Sequence, residues 1–514
     1  MKCEFTRRAG LWSLLAVAAT APWAVPASAA ADLKGGKLRV AIIGDMNNFD
    51  PQSFITANFP IIKNFYDSLI EYTPDGKAVP SLATAWTIAA DSASVTVTLR
   101  KGVKFQSGAP FNAQAVAATL AKAADPKRGK NLLPTMAIVR DWTVVDDGTI
   151  RLNFKSPPPE RQITDLLQFL SIIDPAGIDT VETKPAGTGA YTLAERAVGQ
   201  RIRLAANPAY WRAGEPLSKE VEITVFSDDA AASAALESGA ADIVYGGTSR
   251  SAVRLRDAGY QLLQGPGPLV QVFRINSTRG PFRNEKFRQA FNFLMDRAAI
   301  LRAGYANLGV VTALPWAPAS PAADPSYNET YAYNLDKAKA LIKESGLSDA
   351  ETSGWKLLVN GGDESSVLIS QLAQSSLARA GVKIELDLKQ GAEFFDALLK
   401  GNFDAVFGAI GNVQKFPTRV TTNSIYRTTN NPVLGEPNPH PAYVAAIERV
   451  DKTFGSGADV KAAYDNLNKA LVASAFAVPT NTYDTGLIVA GKKLGGFTLD
   501  IDDMLVLRTL GFAP

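Results

Sequence analysis

From Lys37 onward the chain alternates short apolar strand patterns with helical ones, and this alternation narrows its fold more than any other feature. Lys37-Leu38-Arg39-Val40-Ala41-Ile42-Ile43 alternates and then turns wholly apolar, as a strand entering a core does. Residues 94–99 alternate with Val95, Val97 and Leu99 on one face. Asp146-Asp147-Gly148, set between 142–145 and 149–154, predicts a hairpin. Further strands are predicted at 201–204, 220–225, 241–244, 270–275, 355–359, 382–386 and 403–407. Helical spacing covers 61–70, 230–238, 285–305, 335–345, 366–380 and 392–399, with Gly239, Gly381 and Gly401 as stops. Elements of these lengths, taken in turn, argue for α/β layers. The 514 residues allow roughly two to four domains. Gly265-Pro266-Gly267-Pro268 and the Pro/Asn-rich stretch 431–441 are loop or hinge candidates.

The first thirty residues read as a leader rather than as part of this pattern. Lys2, Arg7 and Arg8 form a basic start, 11–20 is apolar and too short to span a bilayer comfortably, and Ala27-Ser28-Ala29 is a cleavage site of the A-x-A kind. Two export routes fit: an ordinary secretory signal, or a twin-arginine signal in which Gly10 stands where Phe is usual. Cleavage after Ala29 removes three basic residues and one acidic residue, leaves a net charge of +1, and takes away Cys3, the chain's one cysteine. The expected product is exported, soluble and free of disulfides, which suits the periplasm of a Gram-negative bacterium.

Charge and residue types exclude several functions. Hydrophobic residues are 46% and charged residues 20%, so the chain can bury a large core. Lys and Arg number 53 against 50 Asp and Glu, too even a balance for a general nucleic-acid binder. One His and one Cys cannot build a cysteine zinc module or a His-rich metal site. There is no G-x-S-x-G elbow and no phosphate-binding P-loop, and Gly187-Thr188-Gly189 lacks the third glycine of a dinucleotide fingerprint. A catalytic triad would depend on His440, which reads as a solvated loop residue. Asp146-Asp147 reads as a turn and Asp228-Asp229 as a helix cap; Asp500, Asp502 and Asp503 read as a solvated loop, with a calcium site as the alternative. The expectation is therefore no enzyme, no cofactor and no metal.

Several segments together resemble the family 5 solute-binding proteins of bacterial ABC importers, the peptide/nickel-binding group. Phe49-Asp50-Pro51 is similar to the family's L-D-P, and Tyr66-Asp67-Ser68-Leu69 to its Y-[DE]-G-L. Leu99-Arg100-Lys101-Gly102-Val103-Lys104-Phe105 followed by Ser107-Gly108-Ala109-Pro110-Phe111 resembles L-R-x-G-V-K-F-x-D-G-x-P-[FL]. Gly187-Thr188-Gly189-Ala190-Tyr191, Asn207-Pro208-Ala209-Tyr210-Trp211, and Arg288-Gln289-Ala290 with Asp296-Arg297 follow in family order. Most of these residues read as structural, Tyr210 and Trp211 as core rather than as ligand stackers. The resemblance implies an α/β fold of periplasmic-binding-protein type: two α/β lobes joined by two crossing strands, with an extra domain inserted in the first lobe. It implies lobe I at 37–58, 184–270 and 485–514, the insert at 59–183, and lobe II at 271–484, after a signal peptide at 1–29.

By that resemblance the chain is a monomeric periplasmic component that closes on a small-molecule or peptide-like solute and delivers it to an inner-membrane ABC permease with its ATPase. The competing classes are a secreted hydrolase of unfamiliar kind and a periplasmic sensor or chaperone on the same fold. Ligand contacts follow by matching segments. Asp45, Met46 and Asn47 belong to lobe I; Phe407, Gly408, Ala409, Ile410, Gly411, Asn412 and Val413 match the lobe II strand and loop that pair with peptide backbone; Asn481 and Tyr483 lie near the second crossover. In peptide binders of the family an Asp on that loop receives the peptide's α-ammonium, and the matching position here is Val413. Burying an ammonium without a partner costs several kcal/mol, so a free peptide N-terminus is not expected to be anchored there. Lys415 and Arg419, if they face the cleft, favour a neutral or anionic solute; otherwise they are solvated surface charges.

Overall fold

The computed structural model describes residues 33–514 except 47, 54–58, 74–75, 266, 412–416, 422–424, 454–456, 484–486 and 501–503. The expected leader, residues 1–29, lies outside the described residues. Three principal sheets organise the chain.

The first sheet has seven strands, in the order Gln261–Leu263, Ile488–Ala490, Ile243–Tyr245, Lys37–Ile43, Glu220–Phe226, Arg201–Ala206, Tyr191–Ala197. Lys37–Ile43 lies parallel to both of its neighbours. Its alternation is used on both faces: Leu38, Val40 and Ile42 join one core, and Ala41 joins a second that holds the helix Asp229–Glu237. Asp228 caps that helix through the Ala231 amide, as the Asp-Asp pair suggests.

The second sheet runs Glu385–Lys389, Lys356–Asn360, Ala405–Ile410, Leu269–Ile275, Ala477–Tyr483. One face carries Val270, Val272, Leu358, Val406 and Ile410, and the other Phe273, Ile275, Leu357, Ala405 and Phe407. A third, four-stranded antiparallel sheet (Ala83–Ile88, Ser94–Leu99, Thr149–Phe154, Val139–Asp146) packs on the helices Ala113–Ala124 and Glu160–Phe169. It includes the expected hairpin at Asp146-Asp147-Gly148.

Three segments depart from their expected form. The helical pattern over 61–70 yields only the short helix Phe59–Ile62, and Ile70 opens a strand, Ile70–Tyr72. Tertiary bonds outbid the helix there: Asn64 O and Phe65 O accept from the amides of Tyr191 and Gly189, both at 3.0 Å. The apolar period over 285–305 is two helices, Glu285–Leu294 and Arg297–Tyr305. Met295 turns extended, and Asp296 caps the second helix by accepting from Ala299 N. The strand expected at 382–386 sits at Glu385–Lys389, where its register with Lys356–Asn360 places it.

The motifs that carry the family resemblance meet in one buried place. Asp67 accepts from Thr188 Oγ1 at 2.8 Å, Tyr210 OH at 2.9 Å and Trp211 Nε1 at 2.8 Å. Arg100 stacks over the Trp211 ring at 4.6 Å, and Gln106 donates to Tyr191 O at 2.7 Å. Gly187 and Gly189 are required because a Cβ on either would collide with the carbonyls of Phe65 or Asn64. Tyr210 and Trp211 are half-buried and tied to Asp67, which gives both rings a structural task. Asp50 likewise forms a buried ion pair with Lys122 at 2.7 Å.

Candidate ligand-binding site

Topology locates the candidate cleft. The chain leaves the first sheet after Leu263 and enters the second at Leu269; it leaves the second after Tyr483 and re-enters the first at Ile488. Leu263 and Tyr245 both pair with Ile488, and Tyr245 pairs with Ile42, so this end of the first sheet is the crossing end. In the second sheet Leu269 pairs with Tyr483 and Val270 with Ile410, which marks its crossing end. The carboxyl ends of the parallel strands Lys37–Ile43 and Ala405–Ile410 therefore both open toward the crossing segments. Crevices of this kind, outside the carboxyl ends of parallel strands, are where α/β sheets take ligands. Gly267 lies against the return strand at φ +87°, and a Cβ there would come within 2.8 Å of the Tyr483 backbone. A larger residue would prise the two crossings apart.

On the first-sheet side, the Asp45 carboxylate is engaged within the protein. Arg196 grips its carboxylate at 2.7 and 2.9 Å, and the amides of Gly199 and Met46 donate to it at 2.6 and 2.7 Å. Burial pulls the Asp45 carboxyl upward, but the Arg196 and backbone bonds outweigh it and hold it below the usual carboxylate range. The Met46 side chain is buried in the core, and its carbonyl accepts from Arg196 at 2.7 Å. Asn47 lies outside the described residues.

On the second-sheet side, the predicted residues divide by face. Phe407 is core, its ring 4.7 Å from Phe273, and Ile410 is buried on the opposite face. Gly408 and Gly411 are half-buried and Ala409 is exposed. Pairing with Lys356–Asn360 covers Ala405 and Val406, while pairing with Leu269–Ile275 continues to Ile410. Asn412, Val413 and Lys415 lie outside the described residues, as does the side chain of Arg419. Asn481 is fully buried; its amide donates to Thr482 O at 2.8 Å, so the side chain serves the return strand. Tyr483 is half-buried and stacks on Tyr305 at 4.9 Å. Asp404, just before the strand Ala405–Ile410, accepts from Lys356 N at 2.9 Å.

Two residues differ from their sequence reading or were missed by it. His440 is not a solvated loop residue. It is 6% exposed, its Nε2 lies 3.3 Å from Ser277 Oγ, and its ring packs 5.1 Å from Phe476. Burial, with a smaller contribution from Arg288, pushes its pKa down to about 4. The missed residue is Arg274, on the outbound strand Leu269–Ile275 and buried among apolar side chains. Among the described residues its guanidinium makes one hydrogen bond, from Nη2 to Ala409 O at 2.5 Å. The available signal was a cation inside the run Val270–Ile275, followed by a stretch, 405–435, with no Asp or Glu.

A separate cavity of about 190 Å³ lies away from the crossing ends, lined by Glu71, Tyr210 and Arg508 among others. Its charged groups pair internally, Arg508 with Glu71 at 3.2 Å and with Glu215 at 2.8 Å. Asp500 pairs with Lys63; Asp502 and Asp503 lie outside the described residues. Among the described residues no cluster of three or more His, Cys, Asp or Glu is placed to hold a metal ion, and no helix is long and apolar enough to cross a membrane.

Comparison with known proteins agrees with this architecture. The model of the bacterial extracellular solute-binding proteins, family 5, matches residues 77–432. The glutathione-binding protein GsiB of Salmonella typhimurium is 28% identical over 380 residues, 71% of this chain and 70% of its own length. Heme-binding protein A of Haemophilus influenzae is 27% identical over 381 residues, 68% of this chain and 69% of its own length. The crystal structure of the ABC transporter substrate-binding protein CtaP from Listeria monocytogenes superposes with a TM-score of 0.81 at 21% identity, over 94% of this chain and 100% of that one.

Proposed function

This chain belongs to the bacterial extracellular solute-binding proteins, family 5, and from that membership we propose that it is the capture component of an ABC importer. It binds a small peptide-like or organic solute between two lobes and delivers it to an inner-membrane permease with its ATPase. The first lobe is 37–58, 184–270 and 485–514, the insert 59–183, and the second lobe 271–484. The observation that carries the reading is that parallel strands of two sheets end toward the same pair of crossing segments. Two crossings permit a hinge, and a ligand that touches both lobes selects the closed arrangement. Reversing a 99:1 open population needs about 5.5 kcal/mol of preference for the closed form.

The solute meets backbone at Gly408–Gly411, where, among the described residues, the edge of the strand facing Lys356–Asn360 is unpaired beyond Val406 and an extended ligand would add as a strand. Asp45 and Asp404 are both engaged within the protein, which supports a site that does not anchor a free α-ammonium. Unmodified di- and tripeptides should therefore bind poorly. The protein works as a monomer in the periplasm after cleavage near Ala29, and mass analysis of periplasmic protein should find the mature terminus there. Mass spectrometry of the solute that copurifies, followed by small-angle scattering with that solute, tests the whole reading. Compaction at saturation is expected; an unchanged radius sinks capture between lobes.

A further inference from the structure

Arg274 faces its sheet in an unusual company. It pairs across the ladder with Val406, so its side chain leaves the face that carries Val270, Val272 and Ile410. From there it reaches along the strand Ala405–Ile410 toward the crossing end, where its Nη2 bonds Ala409 O. The residue is 7% exposed, yet its buried Nε has no hydrogen-bond partner among the described residues. No carboxylate among the described residues pairs with it. The hydroxyl of Tyr426, near enough to interact with the guanidinium electrostatically, is also buried and has no hydrogen-bond partner among the described residues. On the same face stands Gly408, opposite Val272, and a Cβ placed there would meet nothing within 4 Å. Arg427 follows Tyr426 with another unpartnered buried Nε.

Two other buried arginines in this lobe show what satisfaction looks like. Arg288 donates to the carbonyls of Ser474, Phe282 and Arg283. Arg297 donates to the carbonyls of Pro479, Tyr331 and Asn292 and to the Asn292 side chain. Neither needs a carboxylate. Arg274 has one acceptor among the described residues, and an orphaned buried donor is costly unless something else completes it.

We propose that Arg274, with the Tyr426 hydroxyl and the open space over Gly408, forms a subsite for a carboxylate of the bound solute. The inference rests on the cleft reading above and adds a substrate class to it: an anionic, peptide-like ligand whose acid group enters the second lobe. A carboxylate fits better than a larger or more highly charged anion. It is planar, it matches the Nε edge of a guanidinium, and one cation with one hydroxyl balances one negative charge.

The test uses the mature chain and N-acetylated tri- and tetrapeptides, each as free acid and as C-terminal amide, with calorimetry and scattering on the same samples. Acids should bind roughly 10- to 100-fold more tightly than their amides. Arg274→Met should erase that preference while leaving the amides' affinity within a factor of about three. Gly408→Val, which fills the open space without touching the charge, should also remove acid binding; it guards against a folding defect in the first variant. An acid preference that survives both substitutions, equal binding of acid and amide, or no binding of any acid at millimolar concentration overturns the subsite. Acid binding that depends on Arg274 but brings no compaction keeps the subsite and sinks capture between lobes.

Discussion

Arg297 and Arg274 are buried to nearly the same degree, 5% and 7% exposed, and both touch the same five-stranded sheet. Burial lowers the pKa of each guanidinium to about 10. They differ in what surrounds them. Arg297 is ringed by four acceptors and clamps the return strand to the helices behind it, whereas Arg274 has one acceptor and points to the crossing end. A buried charge completed by its own chain holds a fold together; one left incomplete is costly in the empty protein, and the proposed subsite completes it with the acid group of the solute.

The largest effect expected from this contrast is on the completed side. Arg297→Met strands the carbonyls of Pro479, Tyr331 and Asn292 and should cost about 3–5 kcal/mol. Urea unfolding reads it directly, and a loss below about 1 kcal/mol would break the contrast. Asp67→Ala belongs with it. Three buried or half-buried donors, from Thr188, Tyr210 and Trp211, lose their acceptor, at about 1 kcal/mol or more each. Its stability should fall while the affinity of the folded protein for solute stays unchanged, since Asp67 lies in the knot between the motifs and not at the crossing ends.

That division explains what could be read from the sequence. Strand and helix alternation carries the α/β architecture because each face of each sheet has its own core, and Val270–Ile275 shows both faces in six residues. The family motifs are legible for the same reason that they are structural: Asp67, Gly189 and Trp211 have fixed partners that admit few substitutes. The cleft is different. The atoms proposed to face the ligand at Gly408 and Ala409 are backbone or empty space, which leave no pattern in side-chain periodicity. His440 was misread because its burial is made by Ser277 and Phe476, distant in sequence. The break at Asp296 was hidden because the apolar period continues through it.

His440 supplies an intermediate effect on the same side of the sheet as Arg274. Its folded pKa, about 4, lies below the value of 6.5 for a free imidazole, because burial and nearby Arg288 disfavour the charged form. The sign follows: the contribution to stability is fully present above pH 6.5 and is lost as pH falls toward 4, to a total of about 3 kcal/mol. Substitution by Gln changes packing at every pH, so the informative quantity is the slope. The wild type should lose about 3 kcal/mol more than His440→Gln between pH 6.5 and 4. Parallel pH profiles would show that His440 is not held neutral.

The smallest change in stability should come from the substitution that most damages binding. Arg274→Met removes a guanidinium with one hydrogen bond and an orphaned Nε, and puts in its place an unbranched apolar side chain of similar length. The losses are the bond to Ala409 and the electrostatic contact with Tyr426; the gain is relief of an uncompensated buried charge. These oppose each other, so the empty protein should change by no more than about 1 kcal/mol, in either direction. The same replacement at Arg297, on the same sheet and at the same depth, is expected to cost several times more. If Arg274→Met proves as destabilising as Arg297→Met in solute-free protein, then Arg274 is already completed by its own chain and no place is left for a ligand's acid group.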